Sequence, residues 1–159
     1  MPVERQEITV LVCLAEELAK KVTALLATMD LYYAEVTVES EERVPELLGR
    51  ELDHDLVIFP ADLVDGHRVL RSRQAKFPAA ITIHDDPNLA QAALLGGAAE
   101  SLTADELIAP ILHRAVRAAM IQAENLRRLN EVESAHRLVL AAANDGMWEW
   151  DLATDRVSY

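Results

Sequence analysis

Side chains able to ligate a metal, accept a phosphoryl group or move a proton fall at four places in the chain. The first is the stretch 55–66, DLVIFPADLVDG. Leu56, Val57, Ile58 and Phe59 form a continuous apolar run of strand length, the kind buried on both faces of a parallel sheet. In open α/β sheets, sites lie at the carboxyl ends of such strands. The residue standing there is Pro60, which offers no charge, no nucleophile and no N–H. The second place is His84-Asp85-Asp86. His84 with Asp85 or Asp62 has the donor types of a metal site, although no spaced partner motif accompanies them. The other reading is a turn, in which Asp85 or Asp86 ahead of Pro87 caps the next helix. The third, Asp53-His54-Asp55, precedes a strand and so belongs to a solvated loop at the opposite end of the sheet. The fourth, His113, is followed by Arg114 where an acid would be needed to orient the imidazole. No Gly-rich phosphate loop, Ser-His-Asp arrangement or Cys-His metal spacing occurs. The expectation is a protein that is not an enzyme and needs neither metal nor cofactor.

The elements that would position these residues alternate. Residues 8–14 (ITVLVCL) are β-branched and apolar, hence a strand. Residues 16–29 carry Leu18, Val22, Leu25 and Leu26 at helical spacing, with Glu16 and Glu17 suited to a helix N-terminus. A second strand (33–38, YAEVTV) alternates, and a short helix over 41–51 accommodates Pro45 in its first turn. After the 56–59 strand, a helix over 64–76 would turn Val69 and Leu70 inward and Arg68, Arg71, Arg73 and Lys76 outward, with Pro78 as its stop. The strand 80–83 (AITI), a helix over 88–95 ended by Gly96-Gly97, and a weak strand 98–102 (AAESL) complete the alternation. Five strand–helix repeats imply right-handed crossovers. The fold class is α/β: a flavodoxin-like five-stranded parallel sheet of order 2-1-3-4-5, with a C-terminally extended long helix.

Composition bounds the partners. The 159 residues suffice for one domain plus an appendage, and 51% are hydrophobic. A formal net charge of −12 argues against nucleic acid and against an anionic membrane surface. The lone Cys13 sits in an apolar run, which suits a buried thiol in a reducing compartment. No stretch reaches the ~18 to 20 apolar residues of a membrane span, and MPVERQE is too polar for a signal peptide. A cytoplasmic location is expected.

The run ITVLVCL, the DLVIF strand with its turn ending in Asp65-Gly66, FPAAITI, and ALLGGAAESL with its Gly-Ala turn together resemble the receiver domain of two-component response regulators over residues 6–118. The resemblance implies a phosphoryl site. In that family two acids after the first strand and an Asp ending the third bind Mg²⁺, that Asp is phosphorylated, a Ser or Thr ends the fourth strand and a Lys ends the fifth. A metal and a Lys neutralise the transferred charge while the carboxylate is the nucleophile. Here the acid pair falls on Leu14 and Ala15, the phosphoacceptor on Pro60, the Ser/Thr on His84 and the Lys near Ala104. The resemblance is therefore to a degenerate, or pseudo-, receiver that has lost phosphoryl chemistry. A displaced acidic pocket of Glu16, Glu17 and Asp62 is the alternative that would restore a phosphoacceptor, at Asp62.

From Ala104 to Ala143 the chain has no glycine, and Pro110 fits a first helical turn. Forty residues of helix would span about 60 Å, more than one small domain can cover. One seam, Ile108, Ile111, Ala115, Ala118, Gln122, Asn125, Leu129, Val132, His136 and Val139, keeps coiled-coil spacing, with Gln122 and Asn125 as register-setting polar positions. A second stripe, Leu112, Val116, Ala119, Ala123 and Leu126, competes with it. A parallel homodimer is favoured over a helix docked on its own domain. The tail 137–159 (RLVLAAANDGMWEWDLATDRVSY) resembles the opening of a PAS domain. In that resemblance the helix stops at Asn144-Asp145-Gly146 and an aromatic strand turns through Ala-Thr-Asp into the next. The expected organisation is a receiver-like α/β domain over 1–103, the last receiver helix continuing as a coiled-coil signalling helix over 104–143, and a truncated PAS start over 144–159. Such a protein would dimerise and relay a signal to PAS and output domains of a bacterial signalling protein, whether cyclic-di-GMP-metabolising modules or histidine kinases. The alternative is an interaction module that binds a partner through the strand ends or through the face between the fourth helix and the long helix.

Overall fold

The computed structural model describes residues 4–62, 78–146, 149–151 and 156–158; from 144 onward the backbone alone is described. The helix expected over 64–76 lies outside the described residues. Five strands, β1 (Gln6–Cys13), β2 (Tyr32–Glu39), β3 (Leu56–Pro60), β4 (Ala79–His84) and β5 (Glu100–Thr103), form one sheet of order β2-β1-β3-β4-β5, as expected. Every pairing in it is parallel.

Alternation along the strands divides the interior in two. Ile8, Val10 and Val12 of β1, with Leu56 and Ile58 of β3, point to one face. There they pack on Ala19, Val22 and Leu26 of α1 (Glu16–Leu26) and on Leu112, Val116 and Ala119 of α4 (Ala109–Gly146). Leu11, Cys13, Val57 and Phe59 point to the other face, onto Val44, Leu47 and Leu48 of α2 (Val44–Leu48) and Ala93 of α3 (Pro87–Gly96). Period-2 alternation between two apolar layers is why β1 and β3 read as unbroken hydrophobic runs. Each fully buried Leu or Phe contributes about 1.5–3 kcal/mol of transfer free energy.

The local signals decide where elements start and stop. Ser40 caps a 3₁₀ turn (Glu41–Arg43) ahead of α2, its Oγ accepting from the Glu42 N–H at 3.3 Å, so the expected 41–51 helix is split and shorter. Asp86 caps α3, its carboxylate accepting from the Asn88 N–H at 2.8 Å. Gly97 follows α3 with φ 114°, a left-handed conformation that glycine adopts without steric cost.

The long helix begins at Ala109 rather than 104. Thr103 and Glu106 close a reciprocal capping box, both bonds 3.2 Å, around the 3₁₀ turn Ala104–Glu106. The chain divides into compact units Met1–Glu124 and Asn125–Tyr159. Leu107, Leu112, Ala115, Val116 and Ala119 complete the core of the first unit. In the second unit α4 ends at Gly146, and β6 (Glu149–Asp151) pairs antiparallel with β7 (Arg156–Ser158). No helix among the described residues is long and apolar enough to cross a membrane.

Candidate functional site at the strand ends

The carboxyl ends of β1, β3, β4 and β5 meet where an open parallel sheet places its chemistry. Leu14, just past β1, is 4% exposed and belongs to the core. Ala15 is the residue preceding α1 and has no side-chain oxygen to cap it. Pro60 ends β3 opposite Ile83, half-buried. The ladder passes over its missing N–H: the Ala61 N–H donates to the Ile83 carbonyl at 2.8 Å. Asp62 follows in the turn, exposed, as are Glu16 and Glu17. Among the described residues no group of three metal-ligating side chains converges.

In the 84–86 stretch Asp86 caps α3, as the turn reading has it, and His84 makes a further contact that neither reading included. Its Nδ1 lies 2.8 Å from Ser101 Oγ on β5, and the buried Thr82 hydroxyl donates to the same Ser101 Oγ at 2.8 Å. Ser101 Oγ thus bridges the Thr82 hydroxyl and the His84 ring. The string runs from a buried threonine to a half-buried imidazole. It was not foreseen in the sequence. Thr82 and His84 share a face by strand alternation, but Ser101 joins them only through the register Thr82↔Ser101.

At the end of β5 the expected Lys position is Ala104, exposed in its 3₁₀ turn. A cation reaches it from elsewhere: Lys21 of α1 donates to the Ala104 carbonyl at 3.4 Å. Cys13, 1% exposed, is chemically quiet, because burial, with a smaller push from the Glu39 carboxylate, raises its thiol from the ordinary 9.0 to about 11.

The two remaining histidine motifs are structural. His113 Nε2 lies 2.9 Å from the Leu25 carbonyl and 3.2 Å from Thr28 Oγ1, tying α4 to the C-terminal end of α1, where the Thr28 hydroxyl and N–H also donate to Leu25. The 53–55 loop is more than solvated. Asp55 Oδ2 accepts from the Thr9 backbone N–H at 2.8 Å and from its hydroxyl at 3.1 Å, and the Asp55 N–H donates to the Thr9 carbonyl at 3.0 Å. His54 Nδ1 is buried without a hydrogen-bond partner among the described residues.

Along α4 the two competing stripes separate. Leu112, Val116 and Ala119 of the second stripe are fully buried in the domain, and Ala123 and Leu126 half-buried. Ala115 of the proposed seam is 2% exposed and packed in the same core, so it is unavailable to another chain. Ile111, Ala118 and Gln122 are half-buried; Ile108, Asn125, Leu129, Val132, His136 and Val139 are exposed.

No family model matches the chain, and no curated protein matches it. Solved structures do. The signal receiver domain of NarL from Mycobacterium tuberculosis aligns with 72% of this chain and 97% of its own, at 20% identity and TM-score 0.57. HP1043, an orphan response regulator of H. pylori, aligns over 74% of this chain and 99% of its own, at 18% identity and TM-score 0.56. A yeast Spc42 trimeric coiled-coil segment fused to another structure aligns over 92% of this chain and 100% of its own, at 14% identity and TM-score 0.61. The chain thus has the receiver fold, with a long C-terminal helix.

Proposed function

We propose that this is a receiver-like signalling module that has given up acyl-phosphate chemistry and acts through its long helix. The observation that carries the reading is the identity of the strand-end residues. Leu14 and Ala15 offer no carboxylate to a metal, and Pro60 no nucleophile. Support for a helical output comes from Leu129, Val132 and Val139, 60 to 67% exposed on a helix whose residues 131–143 are exposed throughout. Apolar side chains left in water on a helix without tertiary packing favour a partner helix. A parallel homodimer would join two α4 helices along the seam beyond Ala119 and pass a change in helix packing to PAS and output domains of a bacterial, cytoplasmic signalling protein. Output by a cyclic-di-GMP-metabolising module or a histidine kinase fits this arrangement.

Two measurements test it. The full chain incubated with acetyl phosphate and Mg²⁺ should show no stable added phosphate by intact mass; a stable adduct, mapped to Asp62, would establish the displaced phosphosite instead. Light scattering at micromolar concentration should give a dimer, and a monomer would sink the relay. A second reading, a partner-binding module, is favoured by Leu95 and Ile108, 74% and 47% exposed on α3 and just before α4. It would hold if the chain proved monomeric yet Leu95→Asp abolished capture of a defined output fragment.

A further inference from the structure

A groove of about 870 Å³ opens between α1 and the end of the edge strand β2, on the face away from α2. Its origin is legible in the residues. Ala15, Ala19 and Thr23 recur every four positions and so line one face of α1 with small side chains. Opposite them, Val38 is 52% exposed although it follows Ala34 and Val36 on the core-facing side of β2. Leu14 is a further part of the lining. The apolar surface is therefore left open because the helix has nothing large enough to cover it.

The rim is predominantly acidic, with Glu16, Glu39, Glu41 and Glu42 against Lys20. Glu16 is paired with Lys20 at 2.9 Å, and Glu39 with Arg43 at 2.7 Å. Glu41 and Glu42 also line the groove, both exposed and with no ion pair among the described residues. A volume of this size lies in the range of small-molecule sites, where an apolar body is gripped by the walls and a few polar groups orient the head. The α1 wall, Glu16 to Ala24, is only about 12 Å long at 1.5 Å per residue, two turns, which is short for a docked helix and right for a compact ligand.

We propose that this groove binds a small lipophilic cation, an amine or guanidine on an aliphatic or aromatic body, with the body between α1 and Val38 and the charged head beside Glu41 and Glu42. The site is independent of the relay proposed above and stands or falls by binding alone.

The test uses the full chain and three probes with one apolar body: octylamine, octanol and octanoate. Methyl NMR shifts of Leu14 and Val38 should saturate with octylamine, respond weakly to octanol and not respond to octanoate. Added salt should weaken the octylamine response, because the carboxylates are exposed. Glu41→Gln with Glu42→Gln should lower octylamine affinity about tenfold while the circular dichroism is unchanged. Ala24→Leu, at an exposed position lining the groove, should block binding by filling it. Equal responses to octylamine and octanoate, no saturable response to any probe, or binding that survives Ala24→Leu would each overturn the proposal. So would loss of the octylamine shifts as protein concentration is raised, which would assign this face to a second copy of the chain.

Discussion

One helix is two different objects along its length. Between Ala109 and Ala119, α4 is a wall of the domain: Leu112, Val116 and Ala119 are 0% exposed and Ala115 is 2%. From 131 to 143 the same helix has no buried residue, and Leu138 and Val139 are 72% and 67% exposed. Helix propensity does not differ enough to explain this, since Ala, Leu, Val, His and Arg recur in both parts. What differs is the presence of a surface to bury against. The first part is held by its own sheet, and residues 131–143 of the second are exposed.

The contrast can be broken by substitution. The largest effect is expected from Leu112→Ala, which opens a cavity beneath the sheet and should cost about 2–5 kcal/mol in denaturant unfolding. A loss below about 1 kcal/mol would mean the opening of α4 is not a wall. Leu129→Asp should leave monomer stability unchanged but weaken self-association by about 2 kcal/mol or more, because a charge would be placed in an apolar seam. An unchanged dimer in sedimentation would refute the seam. His113→Ala removes the bond to the Leu25 carbonyl and should cost about 1 kcal/mol, raising amide exchange first at the end of α1. Leu138→Ala, outside the seam, should change the free energies of unfolding and of self-association by less than about 0.5 kcal/mol each. If it dissociates the dimer instead, the register of the seam is shifted.

Much of this was legible in the chain because the sheet is written in apolar runs. ITVLVCL and LVIF needed no partner to be recognised as buried strands, and the strand order followed from the alternation. Pro60 was equally plain, since a strand end without a side-chain oxygen or charge is a property of one residue. What failed were readings that depend on two elements at once. Ala115 was assigned to a coiled-coil seam because helical spacing fits two stripes, and only the packing against the sheet chose between them. Ser101 was passed over because its partners, Thr82 and His84, are 19 and 17 residues away and meet it through strand register. The late start of α4 was readable in principle: Thr103 followed three residues later by Glu106 is a capping-box signature, hidden by the helical composition around it.

The bracket between Asp55 and Thr9 has a consequence for how the sheet finds its alignment. Where they pair, residues 10–12 of β1 and 56–58 of β3 are apolar on both faces, so sliding one past the other by a residue would trade Val10 and Val12 for Leu11 and Cys13 with little change in hydrophobicity. The usual penalty for a slipped strand, a polar face turned inward, is missing here. Asp55 supplies the discrimination instead: its carboxylate meets both the amide and the hydroxyl of Thr9 only when Leu56 lies beside Val10. A polar clasp at the far end of the sheet thus acts as an alignment mark for two strands whose paired residues are apolar on either face.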